Sequence, residues 1–95
     1  MKAGKARPFG LPMTQTYFYT YILQSESNPA HFYTGFTENL DARLAHHNSG
    51  GDPHTSKYLP WRIKTSIAFT ARDQALAFER YLKSASGRAF AKKRL

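Results

Sequence analysis

Three segments of the chain carry the pattern of apolar positions that predicts β-strands. Residues 17–23, YFYTYIL, are dense in aromatic and β-branched side chains on both faces, which is typical of a strand covered on two sides. Residues 32–36, FYTGF, resume this composition after a connection that contains Ser, Asn and Pro, so the two segments are predicted to form an antiparallel hairpin. Residues 61–69, WRIKTSIAF, alternate apolar and polar positions with the period of a strand that buries one face.

A helix is predicted directly after the second strand. Leu40, Leu44 and His47 recur at helical spacing, and the helix should run from Glu38 to about His47. Thr37 is its predicted N-cap, because a threonine hydroxyl can accept a hydrogen bond from a free backbone N–H of the first turn.

A second helix and a basic helical tail are predicted at the carboxyl end. Residues 71–83, ARDQALAFERYLK, have one apolar face, and Thr70 with Asp73 resembles a capping box at the start of the helix. Residues 86–87, Ser-Gly, should interrupt the helical pattern. Residues 88–95, RAFAKKRL, then form the tail.

The order β-β-α-β-α-α predicts an α+β fold, a small three-stranded antiparallel sheet flanked by helices. The length of 95 residues suits one domain, which we assign to residues 15–95. Residues 1–14 are basic and lack the apolar stretch of a secretory signal, so we expect a flexible basic tail there.

The charge of the chain indicates an anionic partner. Lys and Arg number 14 against six Asp and Glu, and the resulting net charge of +8 is expected of a nucleic-acid binder, although an acidic protein partner would need it too. The absence of cysteine excludes disulfides and thiolate metal sites. No apolar run approaches the roughly 20 residues of a membrane span, so we expect no membrane partner and a cytoplasmic protein, associated with the nucleoid at most.

Two tyrosines on the predicted hairpin are candidates for chemistry. Tyr21 and Tyr33 share a face of the sheet if the register sets position 21 opposite position 33 or two residues away from it. A slip of one residue would separate them. The alternative is that these tyrosines only fill β-sheet surface, as tyrosines often do.

Three polar side chains on the predicted helices border apolar faces. Arg43 and His47 lie one turn apart on the first helix, and Glu79 lies at the margin of the apolar face of the second. A carboxylate in that position requires a cationic partner. The simpler interpretations are a surface arginine, a histidine at the edge of the core and an i,i+4 ion pair between Glu79 and Lys83.

Five separated motifs, taken in order, resemble the GIY-YIG nuclease family. The resemblance covers residues 17 to about 94, and it is closest to the small single-domain bacterial members and to the nuclease domains of structure-selective endonucleases. The motifs are YTY at 19–21, YTG at 33–35, ARLAHHNSG from 42, PW at 60–61 and FERYLK from 78.

The resemblance implies a GIY-YIG endonuclease-like fold and the hydrolysis of phosphodiester bonds in DNA, in particular in branched, structured or damaged DNA during repair or recombination. It also implies one divalent metal ion, Mg²⁺ or Mn²⁺, held by Glu79. The catalytic residues that match the family are Tyr21, Tyr33, Arg43, His47 and Glu79.

These roles are chemically reasonable. A tyrosine with a pKa of about 10 is ionised in about one molecule in a thousand at pH 7, so a general base of this kind needs a nearby positive charge. Arg43 or the metal ion can supply that charge, and the fork of a guanidinium suits a phosphate. A single glutamate suits Mg²⁺, which keeps several water ligands. Which of Tyr21 and Tyr33 deprotonates the water stays open.

Further residues are candidates for substrate contact. Gly35, the glycine of the second motif, lacks a side chain and so lets substrate or another side chain approach the backbone. The connection at residues 48–60 is longer than the usual two to six residues, and its His54, Thr55 and Lys57 are predicted to line the substrate groove.

The chain departs from the family pattern in ways that leave alternatives open. Tyr19 stands where the family name has glycine, and Thr20 and Thr34 stand where it has isoleucine. Many family nucleases carry a second domain that selects the DNA site, and this chain has no length for one, so we expect targeting to come from a protein partner, from substrate shape or not at all. The alternative functions are a nucleic-acid binding module with weak or absent turnover and an RNA-directed or ribosome-associated protein.

Overall fold

The computed structural model describes residues 15–95, so the predicted tail at residues 1–14 lies outside the described part. Within residues 15–95 it contains three strands, three α-helices and one short 3₁₀ turn at Ser56–Tyr58. In chain order the elements are β1 (Phe18–Ser25), β2 (Phe32–Thr37), α1 (Leu40–Asn48), β3 (Trp61–Phe69), α2 (Arg72–Lys83) and α3 (Ala85–Arg94).

The strands form one antiparallel sheet with the order β2-β1-β3, so that β1 is central. This confirms the predicted α+β fold and the predicted order of elements. β1 pairs with β2 so that Tyr21 lies opposite Gly35 and Leu23 lies opposite Tyr33. Because side chains alternate along a strand, the odd-numbered residues of β1 share one face with Gly35 and Tyr33.

The two faces of the sheet bury different sets of residues. On the first face, Tyr21, Leu23 and Trp61 form a buried cluster, with Leu40 and Leu44 of α1 packed against it. The second face is covered by the helices of the carboxyl end, whose buried members on α2 and α3 are Ala75, Leu82 and Gly87. A buried hydrogen bond of 2.7 Å from the Thr20 hydroxyl to the Ala75 carbonyl oxygen ties β1 to α2.

The start of α1 differs from the prediction. The helix begins at Leu40, and its N-cap is Asn39, whose side-chain oxygen accepts a hydrogen bond from the Ala42 N–H at 3.0 Å. Thr37 is the last residue of β2, and its hydroxyl accepts from the Asn39 N–H at 3.1 Å. The prediction was wrong because two good capping residues stand two positions apart, and the strand extends as far as the first of them.

The start of α2 also differs from the prediction. The helix begins at Arg72, its N-cap is Ala71, and no side chain caps it. The predicted capping box of Thr70 and Asp73 does not form, because Thr70 lies one residue before the cap position.

The break after α2 occurs earlier than predicted. Ser84 separates the two helices and caps α3, since its hydroxyl accepts a hydrogen bond from the Gly87 N–H at 3.1 Å. Gly87 is therefore inside α3, and a Cβ there would collide with the Tyr81 carbonyl group. Glycine thus serves close packing of α3 on the end of α2 and does not end a helix. Among residues 15–95, no helix has the length and apolar character needed to cross a lipid bilayer.

Candidate active site

The two candidate tyrosines lie on the same face of the sheet, as the prediction required. Tyr21 is opposite Gly35, so Tyr33 is two residues away from its pairing partner. The ring centroids of Tyr21 and Tyr33 are 6.4 Å apart. Tyr21 is almost fully buried, whereas Tyr33 is half-buried and accessible to a ligand.

Gly35 makes room for the Tyr21 ring. A Cβ at position 35 would lie 2.5 Å from the Cζ atom of Tyr21, and the hydroxyl oxygen would be in collision as well. The prediction allowed either a substrate or a side chain to approach this glycine. The structure shows the side chain, and the ring of Tyr21 lies across the strand with its hydroxyl directed toward α1.

Gly35→Ala is expected to destabilise the protein by about 1–3 kcal/mol, because the added methyl group forces a buried ring to move. Chemical denaturation monitored by circular dichroism measures the change. Gly51→Ala is the matched control and should shift stability by less than about 0.5 kcal/mol, because a Cβ there meets only the exposed, movable ring of His46. Equal stability of Gly35→Ala and the parent protein would contradict the packing described.

A buried chain of hydrogen bonds leads away from the Tyr21 hydroxyl. It is 3.0 Å from Nε2 of His47, and Nδ1 of His47 is 2.9 Å from the Thr55 hydroxyl. His47 and Thr55 are both fully buried. Because the Thr55 hydroxyl also donates toward the Asp52 carbonyl oxygen at 3.4 Å, the tautomer with its proton on Nδ1 satisfies every bond in the chain. In that tautomer Nε2 accepts the proton of the Tyr21 hydroxyl.

Thr55 corrects the loop prediction. It is fully buried and cannot line a substrate groove; instead it supports His47. Its carbonyl oxygen accepts from Nε1 of Trp61 at 2.9 Å, and the side-chain amide of Asn48 bonds both backbone groups of Trp61. His54 is exposed, so its contact with substrate stays a prediction.

Lys57, the third of the loop residues predicted to contact substrate, is also exposed, and its substrate contact likewise stays a prediction. The hydrogen bonds of Asn48 and Thr55 had no signal in the sequence beyond the length of the loop. A polar residue at the end of a helix or in a turn is usually solvated.

Burial lowers the pKa of His47, with Arg43 and His46 adding to the effect and the Asp52 carboxylate opposing it. His47 therefore binds a proton less readily in the folded protein than in the unfolded chain, where a histidine titrates near pH 6.5. Stability should be complete above that pH and should fall as the pH drops below it, by at most about 1.4 kcal/mol per pH unit.

Thermal melting as a function of pH tests this expectation. The part of the slope below pH 6.5 that belongs to His47 should be missing in His47→Gln and retained in His46→Gln, whose histidine is exposed. A slope that persists unchanged in His47→Gln would assign the acid sensitivity to other groups.

Arg43 lies on α1, one turn before His47, and is exposed. Burial raises the pKa of Tyr21 to about 12, and the Tyr33 hydroxyl adds to this, while the positive charge of Arg43 opposes the rise. The guanidinium is therefore near the Tyr21 hydroxyl. The Tyr21 hydroxyl donates its hydrogen bond to His47, so the lone pairs of its oxygen can accept a hydrogen bond from Arg43.

Tyr33 lies where the charged groups of the site meet. Burial raises its pKa, and the Asp52 carboxylate raises it further, whereas Lys83 and Arg43 lower it and Glu79 raises it slightly. Charged groups on α1, on α2 and on the loop at residues 48–60 therefore all affect the pKa of the half-buried Tyr33. Tyr33 is the member of the pair best positioned to contact a substrate.

Glu79 lies apart from the other candidates. Its carboxylate is 17% exposed and bonds the Lys83 ammonium at 2.8 Å, which is the i,i+4 pair that the sequence offered as an alternative. Its negative charge raises the pKa of Tyr33, and this links it electrostatically to the other candidates. The structure therefore brings Tyr21, Tyr33, Arg43 and His47 together, with Glu79 at the margin.

The donor groups around Glu79 decide which metal ion the site can hold. Among residues 15–95, no group of three or more His, Asp or Glu side chains converges as a closed metal site would require. One accessible carboxylate does fit a hard cation of the Mg²⁺ type, which keeps water and takes phosphate oxygens as further ligands. The Lys83 ammonium is bonded to one oxygen, Oε2, of that carboxylate.

The chain is similar to several known proteins. The chain is 37% identical over 71 residues to a UPF0213 protein of Lacticaseibacillus paracasei, a match that covers 74% of this chain and 76% of the relative. It is 37% identical over 65 residues to the structure-specific endonuclease subunit SLX1 homolog of Giardia intestinalis, covering 64% of this chain and only 18% of that protein. It is also similar to the solution NMR structure of the UPF0213 protein BH0048 from Bacillus halodurans, with 31% identity, 80% of each chain covered and a TM-score of 0.48.

The family profile of the GIY-YIG catalytic domain matches residues 17–94. This range is nearly the whole of the part that the structure describes, and it includes both tyrosines, Arg43, His47 and Glu79. The chain therefore belongs to the GIY-YIG nuclease family.

Proposed function

We propose that this protein is a metal-dependent endonuclease that hydrolyses phosphodiester bonds in structured or branched DNA. The observation that carries the proposal is the convergence of Tyr21, Arg43 and His47 beside the accessible Tyr33 on one face of the sheet. The net charge of +8 supports a polyanionic substrate.

Arg43 binds the scissile phosphate in this proposal. Its guanidinium is exposed, cannot lose its charge and offers parallel N–H groups to two phosphate oxygens. The Tyr21 hydroxyl is near the guanidinium and can accept a hydrogen bond from it, and the bond to His47 fixes that hydroxyl. Tyr21 is a positioning residue, since a pKa of about 12 leaves it protonated at neutral pH.

Tyr33 orients and deprotonates the attacking water. Its pKa is raised in the free protein, so the phenolate needs a positive charge nearby when the substrate is bound. Arg43 and Lys83 already lower its pKa. At an effective dielectric of about 20, one cation at 4 to 6 Å contributes roughly 3 to 4 kcal/mol to the phenolate.

Glu79 would hold the metal ion, whose contribution is to stabilise negative charge on the phosphate and the leaving oxygen. Lys83, which is paired with the same carboxylate, lowers the pKa of Tyr33 and would add positive charge beside the phenol.

A role in DNA repair, in the cytoplasm and with a targeting protein partner, is the biological setting we propose. It is supported by the similarity to a protein named as a subunit of a structure-specific endonuclease. The second candidate is a nucleic-acid binding module with little turnover. It is favoured because Glu79 forms an ion pair with Lys83, and Glu79 is the one carboxylate of α2 whose charge affects the pKa of Tyr33.

A panel of substrates tests the proposal. Branched, nicked, single-stranded and duplex DNA and a structured RNA are incubated with Mg²⁺ or Mn²⁺ and, separately, with a chelator. We expect cleavage of branched DNA that requires the metal and falls at least about a hundredfold in Glu79→Gln, whereas Glu26→Gln, on the exposed connection between β1 and β2, cuts normally.

Each other result selects another function. Binding without cleavage of any substrate would support the binding module. A preference for RNA over every form of DNA would support the RNA-directed alternative. Cleavage that persists unchanged in Glu79→Gln would contradict the assigned role of the carboxylate.

A further inference from the structure

A groove runs between the sheet and α3 on the face opposite Tyr21. It has a volume of about 650 Å³, within the range of pockets that hold small ligands. Ile22 and Leu82 form its apolar floor. We call it the α3 groove; its walls are Phe32 and Thr34 of β2 on one side and Arg88, Ala91 and Lys92 of α3 on the other.

The walls of the α3 groove are basic. Arg88 and Lys92 are one helical turn apart and exposed, and no Asp or Glu lines the groove. Neither side chain forms an ion pair with a carboxylate within residues 15–95. Arg88 donates one N–H to the Lys83 carbonyl oxygen at 2.7 Å, which leaves its other donors for a ligand. Two cations are thus available for phosphate groups.

The opposite wall presents an aromatic surface. Phe32 begins the edge strand β2 and remains 51% exposed, the most exposed of the large apolar side chains described. Phe32 and Thr34 are two residues apart, so they share the face of β2 that is turned toward α3. An exposed ring beside free cations is the combination by which proteins bind single-stranded nucleic acid, with bases stacked on the ring and phosphates on the cations.

The α3 groove adjoins the candidate active site at the edge strand β2. Tyr33 and Lys83 both line it, and Lys83 is bonded to Glu79. A strand whose phosphate lies at Tyr33 and Glu79 can therefore extend its neighbouring nucleotide into the groove without leaving the protein surface.

We propose that the α3 groove binds an unpaired nucleotide next to the cleaved bond, with its base stacked on Phe32 and its phosphates held by Arg88 and Lys92. This rests on the proposed nuclease function and specifies its substrate as DNA with an unpaired segment at the cut. A base held in a duplex is not free to stack on a side-chain ring, so we expect the groove to take an unpaired base.

Binding in the presence of chelator, where metal-dependent cleavage is absent, tests the groove separately from catalysis. Fluorescence anisotropy compares a labelled blunt duplex with the same duplex carrying a short unpaired extension. Phe32→Ala should weaken binding of the extended DNA by about tenfold, leave the blunt duplex and the salt dependence unchanged, and be rescued by Phe32→Tyr. Thermal melting confirms that each variant is folded.

The cations give a second, independent readout. Replacing Arg88 and Lys92 together by glutamine should weaken binding of the extended DNA about tenfold and lower the slope of log K against log salt by about 0.7 per cation. The matched control replaces Arg80 and Lys93 by glutamine, which removes the same charge from α2 and α3 outside the groove. This control should bind the extended DNA with a smaller loss.

Three results would overturn the proposal. The first is an equal loss on blunt and extended DNA, and the second is an equal loss in the control pair. The third is a change from dimer to monomer in Phe32→Ala, measured by sedimentation, with DNA binding unchanged, which would assign the groove to a second copy of the chain. If the parent protein cuts nothing but the groove variants lose extended DNA as described, the nuclease proposal fails and the binding site stands.

Discussion

Arg43→Ala is expected to lower the rate of DNA cleavage by about a thousandfold and to leave the protein folded. The magnitude is that of an arginine that neutralises charge on a phosphate as the transition state forms. Folding should be preserved because the Arg43 side chain is exposed and the Tyr21 hydroxyl keeps its bond to His47. Single-turnover kinetics with excess protein measures the chemical step apart from product release.

Two further variants separate the chemistry of Arg43 from its charge. Arg43→Lys should recover only part of the rate, because an ammonium lacks the two parallel N–H groups of the guanidinium. Arg80→Ala, an exposed arginine on α2, should cut at nearly the parental rate. Full activity in Arg43→Ala would show that Arg43 has no role in catalysis. Arg43 could then not be the cation that stabilises the Tyr33 phenolate.

The face shared by Tyr21 and Tyr33 could be predicted from sequence only as one of two outcomes. The period of two along each strand sets the condition, but β1 is apolar on both faces, so burial alone does not select the register. The pairing of Tyr21 with Gly35 is the register observed. The aromatic ring and the glycine are one feature, because the ring needs the space that the missing side chain leaves.

The capping residues could not be predicted because local sequence offered equivalent choices. Thr37 and Asn39 can both cap a helix, and the backbone path out of β2 decides between them. Ser84 and Gly87 present a similar case. The close approach of α3 to the Tyr81 carbonyl, a tertiary contact, determines that Gly87 lies inside a helix.

The hydrogen bonds that hold His47 in the candidate site could not be predicted from sequence for a related reason. Thr55 stands in a polar loop whose composition indicates solvent exposure, yet it is buried against His47. Burial depends on how the loop folds back over α1, which the bonds of Trp61 to Thr55 and Asn48 fix. Such long-range hydrogen bonds leave no periodic trace in a sequence, whereas the spacing of Arg43 and His47 on a helix does.

Tyr33→Phe is expected to lower cleavage about 10²- to 10⁴-fold, the usual contribution of a general base, and to leave stability nearly unchanged because the residue is half-buried. Tyr21→Phe should act differently. Its missing hydroxyl leaves Nε2 of the buried His47 without a partner, which costs about 1–3 kcal/mol of stability, and it weakens the hold on Arg43. Kinetics and denaturation of both variants separate a base from a positioning residue.

The pH dependence of kcat/KM decides whether Tyr33 is the base. Burial raises the pKa of Tyr33 in the free protein, so at neutral pH nearly all of it is the neutral phenol. The ionised fraction, and with it kcat/KM, should rise by about tenfold per pH unit through mildly alkaline pH, and no plateau should appear below the raised pKa. Tyr33→Phe should lose this slope, and Tyr21→Phe should keep it. If the residual activity of Tyr33→Phe keeps the same slope, the ionising group is not Tyr33, and Tyr33 only orients the nucleophile.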